Sequence, residues 1–246
     1  KISLFSVAIG CWYESIVHWL YDIGVRPTEH CVLIASLHSS TEPLKYLKSL
    51  GVEFKSDDLF APVMFDRVEC VKLIHESGVE LTKTLISAAT HSGSNNAFIY
   101  LYGHIGEDLD PYILHEIGAT GNLELTKYLA KNKTFISDIG DSAANNDRLD
   151  CLKLCFELGM EKNTKTAIKA ADGGAIDCLK YVWENGVVFN NKVMNAALQG
   201  GSIDCVQYLL STCGLILPHN AVGYAELSQN DELTEWLQQH MAANNN

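Results

Sequence analysis

Apolar positions along this chain return in one local pattern with a period of about 27 residues. Anchored on one position, the series runs Val17, Leu44, Val71, Phe98, Thr126, Leu152, Leu179, Val206 and Thr234. Successive members differ by 27 in sequence number, apart from two steps of 28 and one of 26. Three residues after each anchor stands another apolar side chain (Leu20, Leu47, Ile74 and so on to Leu237), and two residues after stands a mostly aromatic one, as at Trp19, Tyr46, Tyr100, Tyr181 and Tyr208. Apolar stripes at this spacing predict an amphipathic helix in every copy.

The ends of that helix are marked too. An acid lies two residues before most anchors, as at Glu42, Glu69, Asp150, Asp177 and Asp204, where it favours the positive helix N-terminus. Lys45, Lys72, Lys127, Lys153 and Lys180 follow three residues later and are placed to pair with those acids, while His18, in the same column, reads as solvated. Gly24, Gly51, Gly78, Gly159 and Gly186 stand seven residues past the anchor, and Gly106 and Gly214 one later, as left-handed helix stops.

The rest of each copy predicts a second helix ahead of the first. Thr28, Thr82, Asp110, Asn163 and Asn190 share a column suited to N-caps, with Pro111 at the favoured first helical position. Small residues recur seven positions on (Ala8, Ala35, Ala89, Ala143, Ala170, Ala197, Ala225), where they let helices approach closely; Pro62 and Ile117 interrupt the column and predict different packing. No period-two strand pattern appears. One such helix pair cannot bury its own apolar faces, so the copies must stack. The expected fold is all-α, a solenoid of about nine antiparallel helix pairs in one domain spanning 1–246, with residues 218–241 as a C-terminal cap.

Composition narrows the function without naming it. The 246 residues carry a formal charge of −12, which argues against unspecific nucleic-acid binding. No apolar run is long enough to span a membrane, and KISLFSVAIG is too short for a signal peptide. Residue 1 is not Met and reads as a domain start. Ile2, Leu4 and Phe5 have little polar cover, so further repeats, another domain or a partner are expected against this end.

GSIDCVQYLLSTCG (201–214) and GNLELTKYLAKN (121–132), with Ala170–Ala171 and Ala196–Ala197 ahead of two anchors, resemble ankyrin repeats, in particular the consensus Gly-His-Leu-Glu-Val-Val-Lys-Leu-Leu. The opening Thr-Pro-Leu-His is absent, and each unit is about six residues short of the usual length of roughly 33. The shortfall corresponds to the β-hairpin finger, as in the short ankyrin-like repeats of amoebal giant viruses and protists. The resemblance implies a non-enzymatic scaffold binding a protein partner on its concave face, with β-hairpins reduced or absent. It leaves room for a substrate-recruiting adaptor of a larger protein, such as an F-box protein, or for a structural component that is monomeric or assembles end to end.

Candidate chemistry is sparse. Cys70, Cys151, Cys178 and Cys205 share a column that elsewhere holds Ile, Pro, Ala or Leu, so they read as buried small apolar residues. Helices in stacked repeats lie about 8–10 Å apart, too far for disulfides, and reduced thiols imply an intracellular, cytoplasmic compartment (the host's, if the source is viral). Cys151 and Cys155 fall in apolar columns rather than a metal-binding spacing, and no catalytic triad, phosphate loop or cofactor motif is present. Acids at Glu107, Asp108 and Asp110, and at Asp138, Asp141, Asp147 and Asp150, suggest a solvated edge or a docking strip for a basic peptide. The turns ahead of each first helix vary most. From them and the helix starts we take Lys83, Asp110, Tyr112, His115, Asp138, Lys165, Asn191, Lys192 and His219 as candidate partner-binding residues, Tyr112 being the best anchor.

Overall fold

A computed structural model of the chain describes residues 4–106 and 109–244; the expectations for Ile2, Glu107 and Asp108 lie outside them. The described residues are all-helical, without a strand. Internal contacts divide the chain into two units, Lys1–Asp108 and Leu109–Asn246.

Unit 1 contains α1 (Leu4–Gly10), α2 (Glu14–Asp22), α3 (His30–Ser36), α4 (Glu42–Ser49), a 3-10 turn (Ser56–Leu59) running into α5 (Phe60–Met64), α6 (Val68–Glu76), α7 (Lys83–Ser92) and α8 (Asn95–Ile105). Unit 2 contains α9 (Pro111–Thr120), α10 (Leu123–Leu129), α11 (Lys133–Asn145), α12 (Leu149–Glu157), α13 (Thr164–Asp172), α14 (Ile176–Glu184), α15 (Asn191–Gln199), α16 (Ile203–Ser211), α17 (Ala221–Leu227) and α18 (Asp231–Asn244). Helices pack in consecutive pairs. Within each unit, first helices lie against first helices (α1–α3–α5–α7 and α9–α11–α13–α15–α17), and second helices form the other layer, as in α10–α12–α14–α16.

The anchor column forms the core: Val17, Leu44, Val71, Phe98, Leu152, Leu179 and Val206 are all fully buried, and Cys70, Cys151, Cys178 and Cys205 are buried beside it. The glycine stops behave as expected, with Gly24, Gly51, Gly78, Gly159 and Gly186 at φ between 81° and 98°. A second left-handed position, not anticipated from sequence, lies in the turn inside every pair but α3–α4. Glycine fills it at Gly93, Gly121, Gly174 and Gly201, but Trp12, Asp66, Asp147 and Gln229 also adopt φ of 47–57° there. Burial of the neighbouring helices fixes the turn even where the residue disfavours it.

Several local expectations are corrected. Asp110, Asn163 and Asn190 cap their helices, accepting from the backbone N–H groups of Tyr112, Lys165 and Lys192. Thr28 and Thr82 do not; the Thr82 hydroxyl pairs instead with that of Thr84 at 2.7 Å. Helix α11 begins at Lys133 under an Asn132 cap, so Ile136–Asp138 is helical rather than a turn. The 26-residue interval shortens the α10–α11 connection and lets Asn132 start the helix early. Of the apolar residues at the N-terminal end, Phe5 is fully buried and Leu4 is 65% exposed. The interrupted small-residue columns do pack differently: Pro62 sits in the short α5, and at Ile117 the close approach moves to Gly118, whose added β-carbon would strike the Ile139 carbonyl and lie 2.7 Å from Ser142 Cβ.

The lysine column serves two purposes. Lys45 and Lys72 pair with Glu42 and Glu69 at 2.7 and 2.6 Å. Lys72, Lys153 and Lys180 also lie over the rings of Tyr100, Tyr181 and Tyr208 in the following pair, 5.7–6.0 Å from the ring centres. His18 is stacked on Tyr46 at 4.5 Å, where solvation alone was expected. These cation–aromatic contacts tie α6, α12 and α14 to the second helix that follows each.

Candidate functional site

The first helices of unit 2 are set by their caps. Asp110 with Pro111, Asn132 and Asn163 start α9, α11 and α13. Small residues bring the helices together: besides Gly118 against α11, a β-carbon on Gly173, just past α13, would strike the Asn145 carbonyl. The Ser142 hydroxyl donates to the His115 carbonyl at 2.6 Å, linking α11 to α9.

Close packing at one depth leaves a groove of about 460 Å³ across the three helices. His115 on α9, Asp138 and Asp141 on α11, and Lys165, Lys169 and Asp172 on or beside α13 supply its charged and titratable lining, with Pro111, Ser142 and Asn145 between them. The lining combines three carboxylates with two lysines, one negative charge in excess with His115 neutral.

Asp141 organises the groove. It is only 6% exposed, accepts from the Thr166 hydroxyl at 2.9 Å and pairs with the Lys165 ammonium at 2.7 Å. The Asp141 hydrogen bond, with charge from Asp141 and Asp138, holds Lys165 above the ordinary lysine range. A buried carboxylate needs such partners, and they fix its direction. Asp138, half-buried, and Lys169 and Asp172, both exposed, are the lining charges open to a ligand.

The structure therefore brings His115, Asp138 and Lys165 of the candidate residues into one groove. Asp110 is a cap and Tyr112 stands beside it, 64% exposed. Asn191 and Lys192 are exposed at the start of α15, and His219 in the turn before α17. Lys83 begins α7 in unit 1 and does not belong to this groove. Lys169, Asp172 and Asn145 were missed. Lys169 and Asp172 stand four and seven residues past Lys165, on one helix face, a spacing visible in sequence.

The acidic run of α11–α12 is not a strip. Asp141 is buried, Asp150 is a first-turn acid of α12, and Asp147 accepts from the backbone N–H of Cys178 at 3.3 Å. Burial and then the Asp147 carboxylate push the Cys178 thiol well up, and Cys70 and Cys205 are raised chiefly by burial. Cys155 is pushed up by its hydrogen bond to Cys151 and by burial. Cys70, Cys155, Cys178 and Cys205, held in the thiol form, do not suit nucleophilic chemistry. All eight cysteines are free. Among the described residues no three His, Cys, Asp or Glu side chains cluster as metal ligands, and no helix is long and apolar enough to cross a membrane. No protein-family model matches the chain, and a search of curated proteins returns no match.

Proposed function

We propose that this chain is a non-enzymatic protein-interaction module. Its helix pairs are finger-less ankyrin-like repeats, nine in number, stacked as a solenoid, and its partner lies across the first helices of unit 2. The regular sequence period and the layering of first on first helices support the repeat assignment. Free cysteines fit a reducing intracellular compartment.

The groove over α9, α11 and α13 carries the functional reading. Lys169 and Asp172 line it with exposed side chains, Lys169 from the last turn of α13, where a cation also suits the helix end. Such charges keep a solvated helix face wet in the free chain, and in a groove crossing three helices they are also what a docked polypeptide would meet. With Lys165 neutralised by Asp141, the groove suits a segment that sets basic side chains against Asp138 and Asp172 and an acidic one against Lys169.

The test compares the K169E/D172K double variant with the outer-layer variant K153E, each used as bait in the same source-cell extract. Proteins retained by wild type and K153E but lost by the groove variant support the reading. An identical set on all three baits sinks it.

A further inference from the structure

In the stacked pairs two columns always face the preceding pair. On first helices this is the position four before the small residue, and on second helices it is the cysteine column. The contacts show it directly: Ser6 lies 3.4 Å from Cys31 Sγ, and Asp141 accepts from Thr166, both joining a first helix to this column of the next. Thr126 Oγ1 lies 3.6 Å from Cys151 Sγ in the other layer.

Inside the units both columns are closed, apart from Asp58, which is half-buried in the 3-10 turn of unit 1. In unit 1, Cys31 and Leu85 are at most 1% exposed, and Cys70 and Ala97 at most 3%. In unit 2, Ile139, Thr166, Val193 and Ala221 are fully buried, as are Cys178, Cys205 and Leu233. The pair α1–α2 is the exception: its residues in these columns, Leu4 and Ile16, are 65% and 46% exposed. Val7, Trp19 and Ile23 extend the patch, with Ile16, Trp19 and Ile23 along one stripe of α2. Scattered exposed apolar residues need no explanation, but two core-column residues left open on paired helices, with three more exposed apolar side chains on the same pair, mark an interface.

We propose that this face of α1–α2 docks one further helix pair of the same repeat class, stacked in register on its N-terminal side. The occupant follows from continuity with the interface repeated inside each unit, where the identical columns meet a helix pair presenting short side chains from its first helix and an aliphatic anchor from its second. A second copy of this chain fits less well, because its last helix pair exposes Glu232, Glu235, Gln238 and Gln239.

The test appends the α13–α14 repeat, residues 163–189, directly ahead of residue 1, because Lys1 falls in the column of Asn163 and the register continues. Docking raises both the urea midpoint and the m-value and lowers ANS fluorescence severalfold. I16E then leaves the midpoint of the unextended chain unchanged but abolishes the gain in the extended one. An appended repeat that stays unfolded with ANS emission unchanged overturns the proposal. So does I16E lowering the unextended midpoint as much as the extended one, since the face would already be covered. A concentration-dependent dimer of the unextended chain, dissociated by I16E in light scattering, also overturns it in favour of a second copy.

Discussion

Asp66 and Asp147 perform a task that the sequence pattern hides, and substituting Asp66 tests it. Each sits in the left-handed turn of its own pair and caps the second helix of the next. Asp66 accepts from the backbone N–H of Ala97 and from the Asn96 amide, both at 2.8 Å; Asp147 accepts from Cys178 N–H. The capped helices α8 and α14 receive no bond from their own N-cap side chains, Ser94 and Ala175. Helices α16 and α18 are capped locally by Ser202 and Asn230, and there the preceding left-handed residue is Gly174 or Gly201. At these four helices the cap thus comes either from the helix itself or from the preceding turn.

D66A removes a carboxylate cap, worth about 1 kcal/mol, and its attraction to the helix dipole, about 0.5 kcal/mol. It also leaves alanine at φ 54°, a left-handed conformation costing roughly 1 kcal/mol. Aspartate already bears about half of that strain, so the expected loss is about 2 kcal/mol. D66G loses the same cap but relieves the backbone, so it should fall only about 1 kcal/mol below wild type. D66N keeps the Ala97 bond and should lose about 0.5 kcal/mol. Gly93, at φ 70° with open space where an added methyl group would sit, calibrates the backbone contribution: G93A should reproduce the gap between D66G and D66A. Urea unfolding followed by far-UV circular dichroism resolves these differences, since 1 kcal/mol moves the midpoint by about 0.5 M at typical m-values. D66A at least as stable as D66G would refute the left-handed argument. All three variants matching wild type would refute the cap.

Glycine packing gives a second contrast. G173A pushes a methyl group into the Asn145 carbonyl of α11 and should cost about 3 kcal/mol. G186A, at a helix stop with φ 83° and no neighbour within 4 Å, should cost only about 1 kcal/mol; equal thermal shifts would contradict the close approach. In thiol labelling at pH 8, exposed Cys11 should react first. Cys213, pushed up to about 11 by burial, keeps roughly one thiol in a thousand ionised and should lag far behind. Cys178 should label only on unfolding, and an adduct forming there as fast as at Cys11 would reverse the structural reading of that column. Finally, a double-mutant cycle on Lys180 and Tyr208 should give about 0.5 kcal/mol of coupling, lost when Tyr208 becomes leucine.

What could be read before the structure was whatever repeats. The second helices, their core columns and their glycine stops follow from the regular period, because each depends on residues within one copy. The left-handed turn escaped because Trp12, Asp66, Asp147 and Gln229 break the glycine column there. The start of α11 escaped because a shortened turn and the Asn132 cap shifted it against the period. In the groove, His115, Asp138 and Lys165 were picked as residues near turns, but two lie on helix faces beyond the first turn. Asp141 was grouped with solvated acids because its partners, Lys165 and Thr166, stand almost a full repeat away on the next first helix.

The two layers of each unit also differ in how far packing accounts for their surfaces. On the second helices the outward lysines and tyrosines look like a binding stripe, yet Lys72, Lys153 and Lys180 lie over the tyrosines of the following pair, and His18 stacks on Tyr46. Replacing them should therefore weaken stacking between repeats, whatever the protein binds. On the first helices of unit 2 the reverse holds. The small residues and caps set the helix spacing, and the Lys169 and Asp172 side chains are exposed above it. Exposed charges whose replacement costs little stability are free to be chosen by a partner. That asymmetry predicts opposite effects: outer-layer substitutions lower stability and leave recognition unchanged, while groove substitutions alter recognition at constant stability.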